Sequence, residues 1–111
     1  MASLSARRQF PDVFKNVLTY TGTLDLGSAG DNDGTGAAFA SANVTVPGAA
    51  LGDFVLVSLG VDTVDLTLTA AVTAANVVTV TVNNPTINAV NLASTTVRIC
   101  VLQPNEQVFY A

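Results

Sequence analysis

The chain of 111 residues has no histidine, no tryptophan, a single cysteine and only four basic side chains. Enzymes usually need a general base, an activated nucleophile or a cluster of metal ligands, and histidine and cysteine supply many of these groups. A single cysteine also excludes an intramolecular disulfide. We therefore expect a protein that is not an enzyme, that carries no cofactor, and whose role is structural or binding.

Long apolar runs and positive charge are scarce as well. No stretch reaches the roughly 18 unbroken apolar residues of a membrane helix, and residues 1–16 lack the apolar core of a signal peptide. The net charge of −4 argues against a nucleic-acid partner, because such proteins neutralise phosphates with basic patches. We expect no membrane and no nucleic acid as partners, and synthesis in a cytoplasm.

Charged residues make up only 11% of the chain, which is low for a freely soluble monomer. Such a surface suits a protein largely covered by neighbours, and a small soluble β domain is the alternative. The charges are also unevenly placed. The first fifteen residues contain three basic residues, Arg7, Arg8 and Lys15, and one acidic residue, Asp12. In the rest of the chain Arg98 is the single basic residue. A basic arm before an acidic body often marks an interaction tail.

From Val17 to Val101, apolar residues alternate with Thr, Ser and Asn, which is the period of a half-buried strand. Residues 62–70 alternate in this way, with Val64 and Leu66 predicted to face inward. The run 54–59 is apolar at nearly every position and predicts a central strand covered on both faces. Further strands are predicted at residues 18–26, 37–46, 77–82 and 95–102, and turns at 47–53 and 103–105.

Short strands at this regular spacing predict an all-β fold, a single antiparallel β-sandwich or jelly-roll-like domain. We assign residues 17–111 to this domain and residues 1–16 to an extended N-terminal arm. Pro11 disfavours a helix before it, and residues 11–16 have the alternative of one short helical turn.

The string Asp31-Asn32-Asp33-Gly34-Thr35-Gly36 is the one metal-like motif. Calcium loops place oxygen ligands at alternate positions and a Gly at the sixth, as Asp31, Asp33, Thr35 and Gly36 do. The twelfth position, however, is Ala42 instead of a bidentate Glu. We interpret the string as a solvated turn, and whether it binds an ion stays open.

Other reactive side chains have simple structural interpretations. Cys100 has no histidine to activate it, so we expect a small buried hydrophobic residue, with cross-linking between subunits as the alternative. Asp53, Asp62 and Asp65 lie near strand ends, where Asp commonly forms local turn hydrogen bonds. No catalytic or metal residue is assigned.

The two termini carry the partner-binding candidates. Arginine keeps its charge and binds carboxylates with two parallel hydrogen bonds, and the aromatic residues of the arm have nothing local to pack against. They either fold back on the body or dock on a partner. The apolar C-terminus is expected to be docked. The candidates are Arg7, Arg8, Phe10, Phe14, Lys15, Phe109 and Tyr110.

Four segments, in this order, resemble small structural proteins of tailed bacteriophages. They are GTLDL at residues 22–26, VTVPGAALGD at 44–53, AANVVTVTVN at 74–83 and NLASTTVR at 91–98. The resemblance implies a β-sandwich or jelly-roll head decoration protein, also called a cement or staple protein, of the short-tailed type. Such proteins lie on the outer surface of the virion capsid and clamp neighbouring subunits of the major capsid protein against the pressure of packaged DNA.

We further expect a homo-oligomer, with a dimer favoured over a trimer because two-fold closure is the commonest symmetry. The main alternative function is a phage tail or fibre module that binds a host surface glycan. Sugar sites usually need exposed aromatic side chains, and the chain has only five Phe and two Tyr. A carboxylate-based hydrolase is the least supported alternative, because the Asp residues are scattered.

Overall fold

The computed structural model describes residues 13–29, 38–86 and 88–106. Every element that lies wholly within this part of the chain is a β-strand, as the alternation predicts, and helical residues occur only at its borders, at Val13 and Glu106. The strands are β1 (Phe14–Leu24), β2 (Ser28–Ala29), β3 (Phe39–Thr45), β4 (Phe54–Leu59), β5 (Thr67–Ala74), β6 (Val77–Asn83), β7 (Val90–Asn91) and β8 (Thr95–Pro104).

The strands form two antiparallel three-stranded sheets and one short strand pair. The first sheet has the order β1-β8-β4 and the second the order β3-β6-β5, so β8 and β6 are the central strands. We call these the β8 sheet and the β6 sheet. β2 pairs with β7. The two larger sheets pack face to face, which confirms the predicted antiparallel β-sandwich.

The core consists mainly of the inward positions of the two central strands. In β8 these are Val97, Ile99 and Val101, and in β6 they are Val78, Val80 and Val82, all almost fully buried. Successive side chains of a strand point to opposite faces, so every second residue enters the core. Burying each such side chain contributes about 1.5–3 kcal/mol relative to leaving it exposed. The predicted inward residues of β6 and β8 are therefore confirmed.

One end of the sandwich is fixed by Asn76, in the turn between β5 and β6. Its backbone has φ 66°, a left-handed conformation that Asn tolerates better than most residues. Its backbone carbonyl accepts from Val46 N at 2.8 Å and its N–H donates to Ala49 O at 2.8 Å. Its side-chain Oδ1 accepts from Gly48 N, also at 2.8 Å. The β5–β6 turn is thereby attached to the loop between β3 and β4.

A second attachment is made by Asn84, the only buried polar residue in the described part of the chain. Its Nδ2 donates to Asn88 O at 2.7 Å and to Ala29 O at 3.3 Å. Its Oδ1 accepts from Thr86 N at 2.9 Å. Buried polar groups are stable only when they are hydrogen-bonded, and Asn84 meets this condition while it ties the loop after β6 to β2.

Three sequence predictions are wrong at the level of single elements. Val64 does not face inward but is 59% exposed, with φ 58°. The side chain of Asp62 accepts from Val64 N at 2.8 Å and Leu66 N donates to Thr63 O, so a turn replaces the start of the predicted strand. Asp side chains form such local bonds readily.

The other two corrections concern strand ends and strand position. Gln103 and Pro104 belong to β8 instead of a turn, because they pair with Asn16 and Phe14 of β1. Residues 14–16 are accordingly the start of β1, whereas Val13 before them is helical and residues 11 and 12 lie outside the described part of the chain. Among the described strands β4 pairs with β8 alone, so it is an edge strand and not the predicted central strand.

Candidate interaction surface

The outer face of the β8 sheet presents three rows of side chains, set by the antiparallel register. Residues directly opposite one another on neighbouring strands lie about 5 Å apart and contact each other. From β1 across β8 to β4, the rows are Val17–Leu102–Phe54, Thr19–Cys100–Leu56 and Thr21–Arg98–Ser58. We call these nine residues, together with Phe14, the apolar face.

Large hydrophobic side chains on this face are open to solvent. Val17 is 46% exposed, Phe54 is 47% exposed and Leu56 is 62% exposed. Leu102 is buried in the row between Val17 and Phe54. The ring of Phe14 meets that of Phe54 edge to face, with centroids 5.8 Å apart. Single exposed hydrophobic residues are common on protein surfaces, but contiguous ones mark interaction sites.

A shallow open depression of about 310 Å³ lies over the two rows that contain Cys100 and Arg98. Three consecutive residues of each strand line it, namely 19–21, 56–58 and 98–100, mostly through apolar atoms. The side chain of Leu56 borders it from the edge strand. Ligand pockets bury most of the surface of their ligand, so this open depression suits a contact surface better than an enclosed ligand site.

Arg98 is the one charged residue in the rows of the apolar face. It is exposed and lies between Thr21 and Ser58, which are neutral. It forms no ion pair with any described residue. The carboxylates of Asp25 and Asp62, by contrast, accept backbone hydrogen bonds within their own turns. The guanidinium of Arg98 therefore keeps its donors available for a group outside this part of the chain.

The outer face of the β6 sheet, by contrast, carries mostly uncharged polar side chains. β3, β5 and β6 contain no charged residue, and their outward positions are mostly Thr, Ser and Asn. The hydroxyl of Thr79 donates to Asn43 Oδ1 at 2.7 Å and lies 2.8 Å from the hydroxyl of Thr73. Antiparallel sandwiches usually present such polar residues to water, so the contrast singles out the apolar face.

Two of the predicted partner-binding residues lie at the margin of the apolar face. Phe14 begins β1 and packs against Phe54. Lys15 is exposed, at the irregularity where the β1–β8 register shifts between Phe14 and Asn16. The remaining candidates, Arg7, Arg8, Phe10, Phe109 and Tyr110, lie outside the described residues, as do Asp31 and Asp33 of the metal-like string.

The other singled-out side chains have structural partners or positions. Cys100 is half-buried on the apolar face between Thr19 and Leu56, so the expectation of a buried hydrophobic residue is wrong. Asp53 accepts from Ala50 N and from Gln103 Nε2, both at 2.9 Å, as the turn interpretation predicts. Across residues 13–29, 38–86 and 88–106, no three His, Cys, Asp or Glu side chains are grouped to hold a metal ion.

The sequence analysis did not predict that Phe54, Leu56 and Arg98 lie together on one surface. The apolar run of β4 was the signal that could have found them. The sequence analysis took this run as a central strand that its own chain covers on both faces. Only the strand order shows that β4 has a single neighbour among the described strands, and on its outer side Leu56 is 62% exposed. The described residues also include no helix with the length and apolarity to cross a bilayer.

Comparison of the chain with protein families, curated proteins and solved structures gives no match.

Proposed function

We propose that the protein is a structural component of a tailed-bacteriophage virion, which decorates the outside of the capsid and clamps neighbouring major capsid subunits. The observation that carries this proposal is the apolar face, where Val17 is 46% and Leu56 is 62% exposed. Exposed apolar area of this kind is unfavourable in water and is normally covered by a partner. A decoration protein has such a partner permanently at hand in the capsid surface.

The positions of the phage-like segments in the fold support the proposal. Segments 44–53 and 74–83 meet through the three hydrogen bonds of Asn76. Segments 22–26 and 91–98 pair along β1 and β8, where Gly22 lies opposite Val97 and Leu24 opposite Thr95. The resembling residues thus form two contact units of one sandwich.

The physical mechanism is stabilisation by mass action. A protein that binds only the assembled shell lowers the free energy of that state by its own binding free energy. Many copies on a repeating lattice add their contributions, and contacts to two neighbouring subunits at once raise the effective concentration of the second contact. A valine-rich core with stiff side chains keeps the binding surface preorganised, so little ordering entropy is lost on attachment.

In this proposal the basic arm contributes a second contact. Arg7 and Arg8 bind carboxylates of an adjacent capsid subunit and Phe10 packs beside them, while Phe14, Lys15, Phe109 and Tyr110 are further contact residues. The protein acts as a homo-oligomer, preferably a dimer, so that one copy of the clamp spans two lattice positions. No cofactor takes part.

Electron cryo-microscopy of the virion that carries this protein tests the proposal. The expected result is density on the outside of the head, near symmetry axes, in numbers matching the major capsid protein. Heads stripped of the protein are then expected to release DNA at lower temperature than complete heads. Density confined to the tail, in a handful of copies, would overturn the proposal and favour the glycan-binding alternative.

A further inference from the structure

Strand β1 is a long edge strand with few of the features that usually protect such an edge. It spans 11 residues, about twice the usual length of a strand. Proteins normally protect edge strands with charges, prolines or bulges. Residues 17–24 contain no charge and no proline, and their pairing with β8 is regular, because the register shift lies between Phe14 and Asn16. Such an edge is well suited to pairing with another strand.

The backbone groups of β1 point alternately towards β8 and away from it. In an antiparallel pair, every second residue directs its N–H and C=O away from the neighbouring strand. Within the part of the chain that the structure describes, the backbone of residues 17–24 bonds to β8 alone. β4 and β5 lie side by side at the other side of the sandwich. The outward backbone groups of β1 therefore form a continuous row at the side opposite to β4 and β5.

A second copy of the chain complements this row when the two β1 strands run antiparallel about a two-fold axis. Such an axis brings the same strand of both copies together. Opposite side chains must lie on the same face of the sheet, so the axis passes through a residue and not between two residues. Tyr20 is the middle of the regular segment 16–24. An axis at Tyr20 therefore pairs the whole regular segment with its copy.

The side chains that this register places opposite one another are compatible. Thr19 lies opposite Thr21 of the partner subunit, and Val17 lies opposite Thr23 of the partner subunit. Tyr20, which is half-buried, meets its own copy at the axis. Pairs of β-branched residues and pairs of aromatic residues stabilise neighbouring strands, whereas like charges directly opposite one another destabilise them. The register contains the favourable kinds of pair and brings no like charges together.

The charged residues at the two ends of β1 support the same register. Lys15 and Asp25 are equally far from Tyr20 along the chain, so Lys15 lies opposite Asp25 of the partner subunit. Both residues are exposed, and among the described residues Lys15 has no carboxylate partner. One oxygen of Asp25 accepts from Gly27 N at 3.0 Å, and the second oxygen can accept from a lysine. Lys15 lies at the irregularity of the strand, where its long flexible side chain still reaches this carboxylate.

We infer that β1 pairs with β1 of a second copy in an antiparallel two-fold dimer centred on Tyr20, with Lys15 of each copy opposite Asp25 of the partner subunit. The two β8 sheets then form one continuous sheet, and an edge of each molecule is removed. The inference goes beyond the proposed function, which assumes a dimer but assigns no surface to it. The dimer is a property of the free protein and is tested without capsids.

Sedimentation equilibrium of the full chain tests the dimer and its charge pairs. Lys15→Glu and Asp25→Lys each place like charges opposite one another at both ends of the strand pair, so we expect dimerisation about tenfold weaker for each. The double variant restores opposite charges and is expected to dimerise like the wild type. Asp62→Lys is the matched control, because Asp62 also accepts a backbone hydrogen bond within its own turn but lies away from β1. Circular dichroism checks that each variant is folded.

Disulfide cross-linking tests the register. Cys100→Ser is the background, because the native cysteine lies opposite Thr19 within the chain. A disulfide needs Cα atoms about 4.4–6.8 Å apart, which directly opposite residues satisfy. Thr19→Cys mixed with Thr21→Cys is therefore expected to form cross-linked dimers under mild oxidation, and each variant alone is expected to form few. A mixture of Thr69→Cys and Thr81→Cys, on the β6 sheet, measures the background of random collisions.

The outcomes separate the inference from the proposed function. A wild-type protein that stays monomeric at about 0.1 mM, or a dimer that Lys15→Glu and Asp25→Lys leave unchanged, overturns the inference. Cross-linking that is equal in the Thr19→Cys and Thr21→Cys mixture and in the single variants overturns it as well. Monomers that decorate the outside of virion heads leave the proposed function standing without the inference. Dimers with the expected register, from a virion without density outside its head, support the inference and overturn the proposed function.

Discussion

The ring of Tyr20 lies over the backbone of Gly22 on the inner face of β1. A Cβ atom added at Gly22 would lie 2.7 Å from Cζ of the Tyr20 ring, closer than packed atoms approach. The aromatic ring thus occupies the space that a side chain at position 22 would fill, a pairing that compensates for the poor packing of glycine in a strand. The GTLDL segment therefore has glycine for a packing reason.

Gly22→Ala is expected to lower the free energy of unfolding by about 1–3 kcal/mol, because the ring must move out of a half-buried site. Urea denaturation measures the change. In a Tyr20→Ala background the same substitution is expected to be neutral or stabilising, since Ala is otherwise better than Gly within a strand. An equal loss in both backgrounds would contradict the pairing, as in any double-mutant cycle without coupling.

Val64→Asn is expected to raise the free energy of unfolding by about 1 kcal/mol. A β-branched residue with positive φ is strained, and Asn tolerates this conformation while the exposed position offers little packing to lose. Thermal unfolding followed by circular dichroism measures the change. Val64→Ala retains a Cβ in the same backbone conformation and is the control, with a smaller effect expected. A lower melting temperature for Val64→Asn would refute this account.

Asn84→Ala is expected to destabilise the protein by about 2–3 kcal/mol. It removes the donor to the carbonyls of Ala29 and Asn88 and the acceptor for Thr86 N, and unsatisfied buried groups are unfavourable. The neighbouring Asn83, which is exposed in β6, gives the matched control: Asn83→Ala is expected to change stability by less than about 0.5 kcal/mol. Equal losses for the two variants, measured by urea denaturation, would show that burial of Asn84 is not the cause.

Two substitutions at Asn76 separate its backbone conformation from its side-chain bond. Asn76→Gly keeps the positive φ but loses the acceptor for Gly48 N, so a loss of about 0.5–1.5 kcal/mol is expected. Asn76→Ala loses both and is expected to be less stable than Asn76→Gly by about 1 kcal/mol. Calorimetric unfolding ranks the stabilities of the two variants. If Asn76→Ala were the more stable one, the left-handed conformation of Asn76 would not be the reason for the difference.

Substitution of Arg7 and Arg8 by Glu is expected to weaken attachment to heads without changing the unfolding temperature. If the proposed function holds, the double variant loses charge-assisted bonds to carboxylates of the capsid protein. Co-sedimentation with heads measures occupancy, and raising the salt concentration is expected to weaken wild-type attachment in the same direction. Retained occupancy of the double variant at low salt would contradict a role for the arm.

Much of the fold could be predicted because the signal was local. The alternation in residues 77–82 and 95–102 placed Val78, Val80, Ile99 and Val101 in the core correctly. The bounds of β4 were also predicted correctly as Phe54–Leu59. Prediction failed where a side chain changed the course of the backbone, as Asp62 does by accepting a hydrogen bond from Val64 N. An Asp in an alternating run gives the same sequence pattern whether it lies in a strand or in a turn.

The candidate surface could be predicted only in part. The low charge of the chain predicts a protein covered by neighbours, which stays a prediction, and Phe14, expected either to fold back on the body or to dock on a partner, packs on Phe54 of its own chain. The convergence of Phe54, Leu56 and Arg98 was not predictable, since they are brought together by pairing between residues that are far apart in the sequence, such as Leu56 with Cys100 and Ser58 with Arg98. Candidates at the extreme termini, Arg7, Arg8, Phe10, Phe109 and Tyr110, stay predictions.

The sequence by itself determined which side chains share a face of each strand and which chemistries the chain can supply. Both follow from covalent structure, because side chains alternate along any extended backbone and no fold creates a histidine that the chain lacks. Only the tertiary structure decided that β8 is the central strand, that β4 is an edge strand, and that Arg98 lies in the row beside Leu56. Strand order depends on long-range pairing among several valine-rich strands of similar composition, and the packing of the complete sandwich selects among those pairings.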